Sequence, residues 1–347
     1  ETEVIMSYWT ICRMKTTKKI YVKVSIIFLL GGILLFSSCE KEENQKIEAN
    51  RKTLFMYLPW SSNLTNYFYN NISDLEKCIT KIGLNNEKVI VFISTGSTEA
   101  MMFEIVSSHG RCKREILKKY KSPPFTTIDG ITAILNDVKA FAPASVYTMI
   151  IGCHGMGWLP VYEMKVRSAP HMKMHWEYQG VPLTRYFGGL TAEYQTDIKS
   201  LASGIANAGM KMEYILFDDC YMSSIEVAYE LKDVTKYLIG STSEMMAYGM
   251  PYAAIGEYLL GNPDYQSGCE EFYNFYSTYE IMPCGTLAVT DCSELENMAA
   301  IIKSINSKYS FDKSLRGTIQ RLDGYTPVIF YDFADYITSV SYTHLTL

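Results

Sequence analysis

Residues 212–231 read MEYILFDDCYMSSIEVAYEL, and the fold turns on how that stretch divides. Glu213–Phe217 is a short apolar run, of the kind that suits a strand buried on both faces. Three polar residues, Asp218, Asp219 and Cys220, end it, and the spacing beyond predicts a helix over 221–231. A second stretch, YTMIIGCHGMGW at 147–158, has the same grammar: a buried strand running into His154-Gly155. In open α/β sheets, sites gather at the carboxyl ends of strands. If these two strands are neighbours, His154 and Cys220 face one another across that crevice.

Outward from this pair, strand-like and helix-like runs alternate. Thr53–Leu58, Lys88–Ser94, Met101–Ser107, Val146–Gly152, Tyr237–Ser241 and Thr286–Thr290 read as further strands. Leu64–Ile82, Ile131–Phe141 capped by Asp129, Tyr194–Ala208 and a helix opening at Ser293-x-x-Glu296 read as helices. Such alternation implies an α/β three-layer sandwich, α/β/α, with a mostly parallel central sheet. Trp158–Thr191 has no period and mixes Gly, Pro, Tyr and Met, so it reads as a long loop insertion.

The chain has 347 residues, 48% of them hydrophobic and 20% charged, enough for one large core domain. A net charge of −5 supplies no basic field for nucleic acid, which is excluded as a partner.

The N-terminus reads as targeting sequence. From Met14, four lysines precede the apolar run Val24–Phe36, and Ser37-Ser38 lead into Cys39. Residues 14–38 are expected to be a lipoprotein signal peptide and Cys39 the lipidated first residue of the mature protein. Residues 1–13 would be non-native upstream translation. Residues 39–52 are a polar tether whose Lys41-Glu42-Glu43 resembles the surface-export signal of some Gram-negative lipoproteins. The expected location is the outer membrane, through the lipid anchor and with a surface-exposed disposition. The folded domain is expected to span 53–340; the ending SYTHLTL at 341–347 resembles sequencing-adapter read-through, so the native chain is expected to continue differently there.

A thiol of reference pKa about 8.5 is mostly protonated at neutral pH, so a cysteine nucleophile needs an imidazole to take its proton. His154 and Cys220 supply that pair. The predicted helix directly after Cys220 would add its dipole, and Gly155 lets the backbone come close enough for its N–H to join the Cys220 N–H in an oxyanion hole.

A strand ending in His-Gly and a later strand ending in Asp-x-Cys resemble the clostripain family, within the wider caspase, gingipain and legumain clan. The following YMSSIEVAYELKDVTKYLIGSTSE is also similar to that family. The resemblance implies a caspase-like fold and a cysteine endopeptidase that uses a Cys–His dyad without an obligatory third residue. Cys220 would be the nucleophile, His154 the base, and Gly155 and Cys220 the oxyanion donors. Asp218 matches the acidic residue at the floor of the family's S1 pocket. Glu244 is the one acid in STSEMMAYGMPY, where relatives carry a more acidic loop. Asp218 and Glu244 together could receive a P1 Arg or Lys, although the Met and Tyr content could instead shape an apolar pocket, and Asp218 could merely cap its turn. Substrates would be peptides or proteins. No cofactor is implied beyond Ca²⁺, for which the family leaves room and the sequence assigns no site. Self-cleavage within 158–191, at Lys165, Arg167, Lys173 or Arg185, is a further expectation. A catalytically silent surface-binding lipoprotein and a transpeptidase are the rival readings.

Other residues have blander readings. Cys153 should point to the opposite face from the site by strand alternation. His109-Gly110 reads as an exposed turn, and His171 and His175 as solvated loop residues rather than metal ligands. Cys78, Cys112, Cys153, Cys269, Cys284 and Cys292 lack paired spacing and read as free thiols; Cys12 lies in the upstream segment.

Overall fold

The computed structural model describes residues 50–159, 161, 188–189, 192–309, 311–325 and 328–345. Expectations for the signal peptide, Cys39, the tether, His171, His175 and most of the 158–191 insertion lie outside the described residues.

Eight strands among the described residues form one sheet in the order β4-β3-β2-β1-β5-β6-β7-β8. They are β1 (Asn50–Leu58), β2 (Glu87–Gly96), β3 (Glu99–Ser108), β4 (Arg111–Lys121), β5 (Ala144–Ile151), β6 (Met212–Phe217), β7 (Thr235–Gly240) and β8 (Ala288–Asp291). The five central strands, β2-β1-β5-β6-β7, pair in parallel, while β3, β4 and β8 add antiparallel edges. Parallel strands are buried on both faces, which is why these segments are continuous apolar runs rather than alternating ones.

The helices are α1 (Thr65–Ile82), α2 (Ile128–Phe141), α3 (Ile198–Asn207), α4 (Ile225–Leu231), α5 (Tyr252–Leu259), α6 (Tyr265–Ser277), α7 (Leu295–Lys308) and α8 (Phe333–Leu345). Two cores separate the layers. On one face, Phe68, Ile72 and Leu75 of α1 and Tyr252 and Ile255 of α5 pack on Leu54, Val91, Ile150 and Leu216. On the other, Ile131 and Leu135 of α2, Leu201 and Ile205 of α3 and Val227 of α4 pack on Phe55, Met149, Ile151 and Phe217. Each such aliphatic side chain, fully buried, contributes about 1.5–3 kcal/mol. The result is the α/β three-layer sandwich expected from the sequence.

Four local readings are corrected. The segment RCKREILKKYK, not read as a strand, is β4: it alternates half-buried with exposed positions, and its lysines and arginines blunt a sheet edge. Helix α2 is capped by Thr127, whose Oγ1 accepts the Gly130 N–H at 3.1 Å, not by Asp129. Asp291 caps the 3₁₀ turn ahead of α7, so Ser293 and Glu296 form no capping box there. Most relevant to the site, the helix after Cys220 starts only at Ile225, with Ser224 as its cap. Residues 221–223 are a turn, and Cys220 gains no helix dipole.

Candidate active site

The first chain crossing of the sheet, from β2-β1 to β5-β6-β7, brings the loops after β1, β5, β6 and β7 to one end, where α/β folds bind their ligands. Within it, β5 and β6 are adjacent and in register, with Ile151 opposite Phe217. His154 and Cys220 each stand three residues past that shared rung, so the sheet delivers them side by side.

The contact between the two loops is close. A β-carbon on Gly155 would press into the Cys220 carbonyl oxygen and stand 2.9 Å from the Cys220 nitrogen. His154 is fixed at both ends: its N–H donates to the Gly188 carbonyl at 3.2 Å, and its Nε2 lies 2.8 Å from Asn63 Oδ1. Asn63 follows β1 and was not among the residues singled out from the sequence. The only hint was its place in a strand-end loop.

The Cys220 sulfur meets the loop after β7. The Met245 N–H donates to Sγ at 3.1 Å, a bond that strengthens if the thiol ionises. This amide stands where the sequence reading expected a helix N-terminus. Tyr221, next in the chain, has φ +59°, a left-handed conformation costly for a bulky residue. Three contacts hold it there: its N–H donates to the Ser243 carbonyl at 2.9 Å, its hydroxyl to Glu244 Oε1 at 2.9 Å, and its ring stacks on Phe330 at 4.5 Å between centroids. Burial pushes the Tyr221 phenol well above its ordinary range, so it stays a donor to Glu244.

Asp218 is 1% exposed, and its carboxylate is bonded from within the protein. Oδ1 accepts the Met250 N–H at 2.8 Å and Oδ2 the Tyr252 hydroxyl at 3.0 Å, tying the loop 241–251 and the start of α5 to the end of β6. Glu244 is half-buried on the same loop. The segment around Tyr325 and Phe330 lies over this region, with Tyr325 Oη donating to Met156 Sδ at 3.4 Å. Asp323 folds that segment, its carboxylate accepting the Tyr325 and Ile329 N–H groups at 2.8 Å each.

Cys153 points into the core opposite the one that contains Cys220, as alternation requires. His109 and Gly110 form the exposed β3–β4 turn, with φ +52° and +69°. Among the described residues the cysteines are free thiols, and no group of three or more His, Cys, Asp or Glu could hold a metal.

The chain, with His-Gly and Asp-x-Cys at adjacent strand ends, is matched by the family model described as "Clostripain family" over residues 56–346. The chain belongs to the clostripain family. A secreted C11 cysteine protease from Bacteroides thetaiotaomicron, iotapain, is similar in structure at TM-score 0.77 and 59% identity, over 84% of this chain and 80% of that one. An inactive zymogen C11 protease from Parabacteroides distasonis aligns at TM-score 0.68 and 24% identity, over 83% and 77% of the two chains. A secreted C11 cysteine protease from Bacteroides thetaiotaomicron, in complex with an irreversible peptide inhibitor, aligns at 0.66 and 19%, over 85% and 81%. At those identities the last two speak for the shared fold alone. None of the curated proteins compared matches the chain. This clostripain-family protein is therefore a cysteine endopeptidase acting on peptides or proteins, and the silent-scaffold reading is not favoured.

Proposed function

We propose that Cys220 is the nucleophile and His154 its base. The observation that carries this is the register of β5 and β6, which sets the two residues at equal distance past one rung, with Gly155 against the Cys220 main chain. His154 takes the thiol proton; the thiolate, bonded by the Met245 N–H, attacks the scissile carbonyl carbon. The tetrahedral oxyanion is met by the Gly155 and Cys220 N–H groups. Collapse breaks the C–N bond as His154 returns its proton to the leaving amine. Water then hydrolyses the thioester, deprotonated by His154 on the way in.

Cleavage after Arg or Lys is the specificity we infer, with a carboxylate receiving the P1 cation. Because Asp218 is 1% exposed and holds two internal bonds, we assign the cation to the half-buried Glu244, whose Oε1 accepts the Tyr221 hydroxyl, and Asp218 supports it by anchoring the loop. Self-cleavage at a basic residue between Trp158 and Thr191 would follow from the same specificity.

The enzyme works outside the cytoplasm in this reading. The lysine-flanked apolar run before Ser37-Ser38-Cys39 supports export and lipidation at Cys39, hence an outer-membrane anchor, and the similar iotapain is described as secreted. Ca²⁺ dependence rests on family resemblance alone.

The deciding experiment pairs Cys220→Ala and His154→Ala with a fluorogenic peptide series varied at P1. Both variants should fold and lose turnover; retained hydrolysis in Cys220→Ala rules out the assignment.

A further inference from the structure

Strands β5 and β6 must separate at their carboxyl ends to present two different side chains, yet the two loops must not drift apart. The Asp218 N–H donates to the Ile151 carbonyl at 2.8 Å, an ordinary main-chain rung. One residue further on, the rung is made differently. Asp219 Oδ1 accepts the Cys153 N–H at 2.5 Å, and Asp219 Oδ2 accepts the Cys153 thiol at 3.4 Å. Both residues are 0% exposed. A carboxylate is costly to bury unless its oxygens are bonded, so its presence here, where a serine or an alanine would fill the space more cheaply, points to a task.

The two bonded residues are the immediate predecessors of the dyad: Cys153 comes before His154 and Asp219 before Cys220. We propose that Asp219 is a positioning residue, whose carboxylate extends the β5–β6 ladder by one side-chain rung and so fixes the spacing of His154 from Cys220. It does this from behind. Cys153 belongs to the core packed under α2, α3 and α4, while Cys220 belongs to the opposite core. Asp219 therefore acts through Cys153, from the side of the sheet away from the core that holds Cys220. A charge-assisted bond is shorter and stiffer than a neutral one, which suits a link that must hold two loops within a fraction of an ångström. Gly155 tightens the same joint, since a β-carbon there would stand 2.8 Å from Asp219 Cβ, leaving no room for a side chain.

This inference rests on the Cys220–His154 dyad and adds a residue to it. Its test is steady-state kinetics of Asp219→Asn and Asp219→Leu on the best peptide from the P1 series, with unfolding midpoints measured alongside. Asp219→Asn keeps an acceptor for the Cys153 N–H but loses the charge, and kcat should fall about three- to tenfold with KM unchanged. Asp219→Leu keeps the volume but removes the acceptor, and kcat should fall at least about thirtyfold, again at constant KM. If the leucine variant does not fold, the asparagine variant alone decides. Wild-type kcat in Asp219→Asn, or a change confined to KM, overturns the proposal. Cys220→Ala separates the two levels: turnover surviving there removes the dyad itself, whereas a silent Cys220→Ala beside a fully active Asp219→Asn removes only the positioning role.

Discussion

Gly155 rests its α-carbon on the main chain of Cys220, so closely that a β-carbon would meet the Cys220 carbonyl oxygen, Asp219 Cβ at 2.8 Å and the Cys220 nitrogen at 2.9 Å. None of those atoms is the far end of a flexible side chain, so the backbone itself would have to move. Gly155→Ala should cost about 1–3 kcal/mol of stability, the usual penalty of overpacking. It should also lower kcat/KM by roughly 100-fold, because a displacement of about 1 Å is enough to spoil a near-attack geometry. Denaturant unfolding and kinetics on one preparation read both. An alanine variant of normal activity would show that the two loops need not touch.

Asn63 sets the imidazole. If its Oδ1 accepts the His154 Nε2–H at 2.8 Å, the proton is fixed on Nε2 and Nδ1 is left as the basic nitrogen. Asn63→Ala frees the ring to rotate and to change tautomer. We expect kcat to drop about tenfold while KM holds, because the bond orients the base and does not bind substrate. Equal loss in both constants would point to a substrate contact instead.

In the proposed specificity, Asp218 anchors the loop and Glu244 meets the P1 cation. Asp218→Ala strands the Met250 N–H and the Tyr252 hydroxyl in the core, at about 1–3 kcal/mol per orphaned group, and should lower the unfolding midpoint markedly. Glu244→Gln should leave stability nearly unchanged and cut kcat/KM for Arg or Lys at P1 by at least about tenfold relative to a neutral residue. If Glu244→Gln keeps that preference within about twofold, the cation is held elsewhere.

Three of the other thiols should be slow. Burial holds Cys78, Cys269 and Cys292 each up to about 11, with nearby carboxylates adding to the effect. Raising a thiol's pKa removes thiolate at neutral pH, so at pH 7 roughly one in ten thousand of these groups is reactive. Their alkylation should quicken about tenfold per pH unit and level off near pH 11. Cys220 is 0% exposed as well, but the Met245 amide on its sulfur favours the thiolate, so it should react ahead of these three with iodoacetamide at pH 7. Peptide mapping after timed quenching reads the order, and faster labelling of any of the three would count against it.

The sheet was legible because parallel strands must be apolar on both faces, and runs such as EYILF and YTMII declare it. The strand ends were legible for the same reason: polar residues appear where burial stops. What failed to show was anything decided by contact between distant segments. β4 carries charges at most positions because it lies on an edge, which masks its period. The bonds from Asn63 to His154, from Met245 to Cys220 and from Asp219 to Cys153 join loops that only the folded sheet brings together. The false helix start at Tyr221 has a local cause. Apolar spacing continues through the turn, but the left-handed φ of Tyr221 breaks the helix, and Ser224 restarts it.

The stack of Tyr221 on Phe330 also bears on timing. Ribosomes release a chain from its N-terminus, so the strand ending in Cys220 emerges well before Phe330 does. Until that late segment arrives, the strained residue beside the sulfur lacks its aromatic neighbour, and Met156 and Gly157 lack the cover of Tyr325 and Phe330. The order of manufacture thus sets an order of assembly: the strained turn beside the sulfur is made first, and its aromatic support only afterwards.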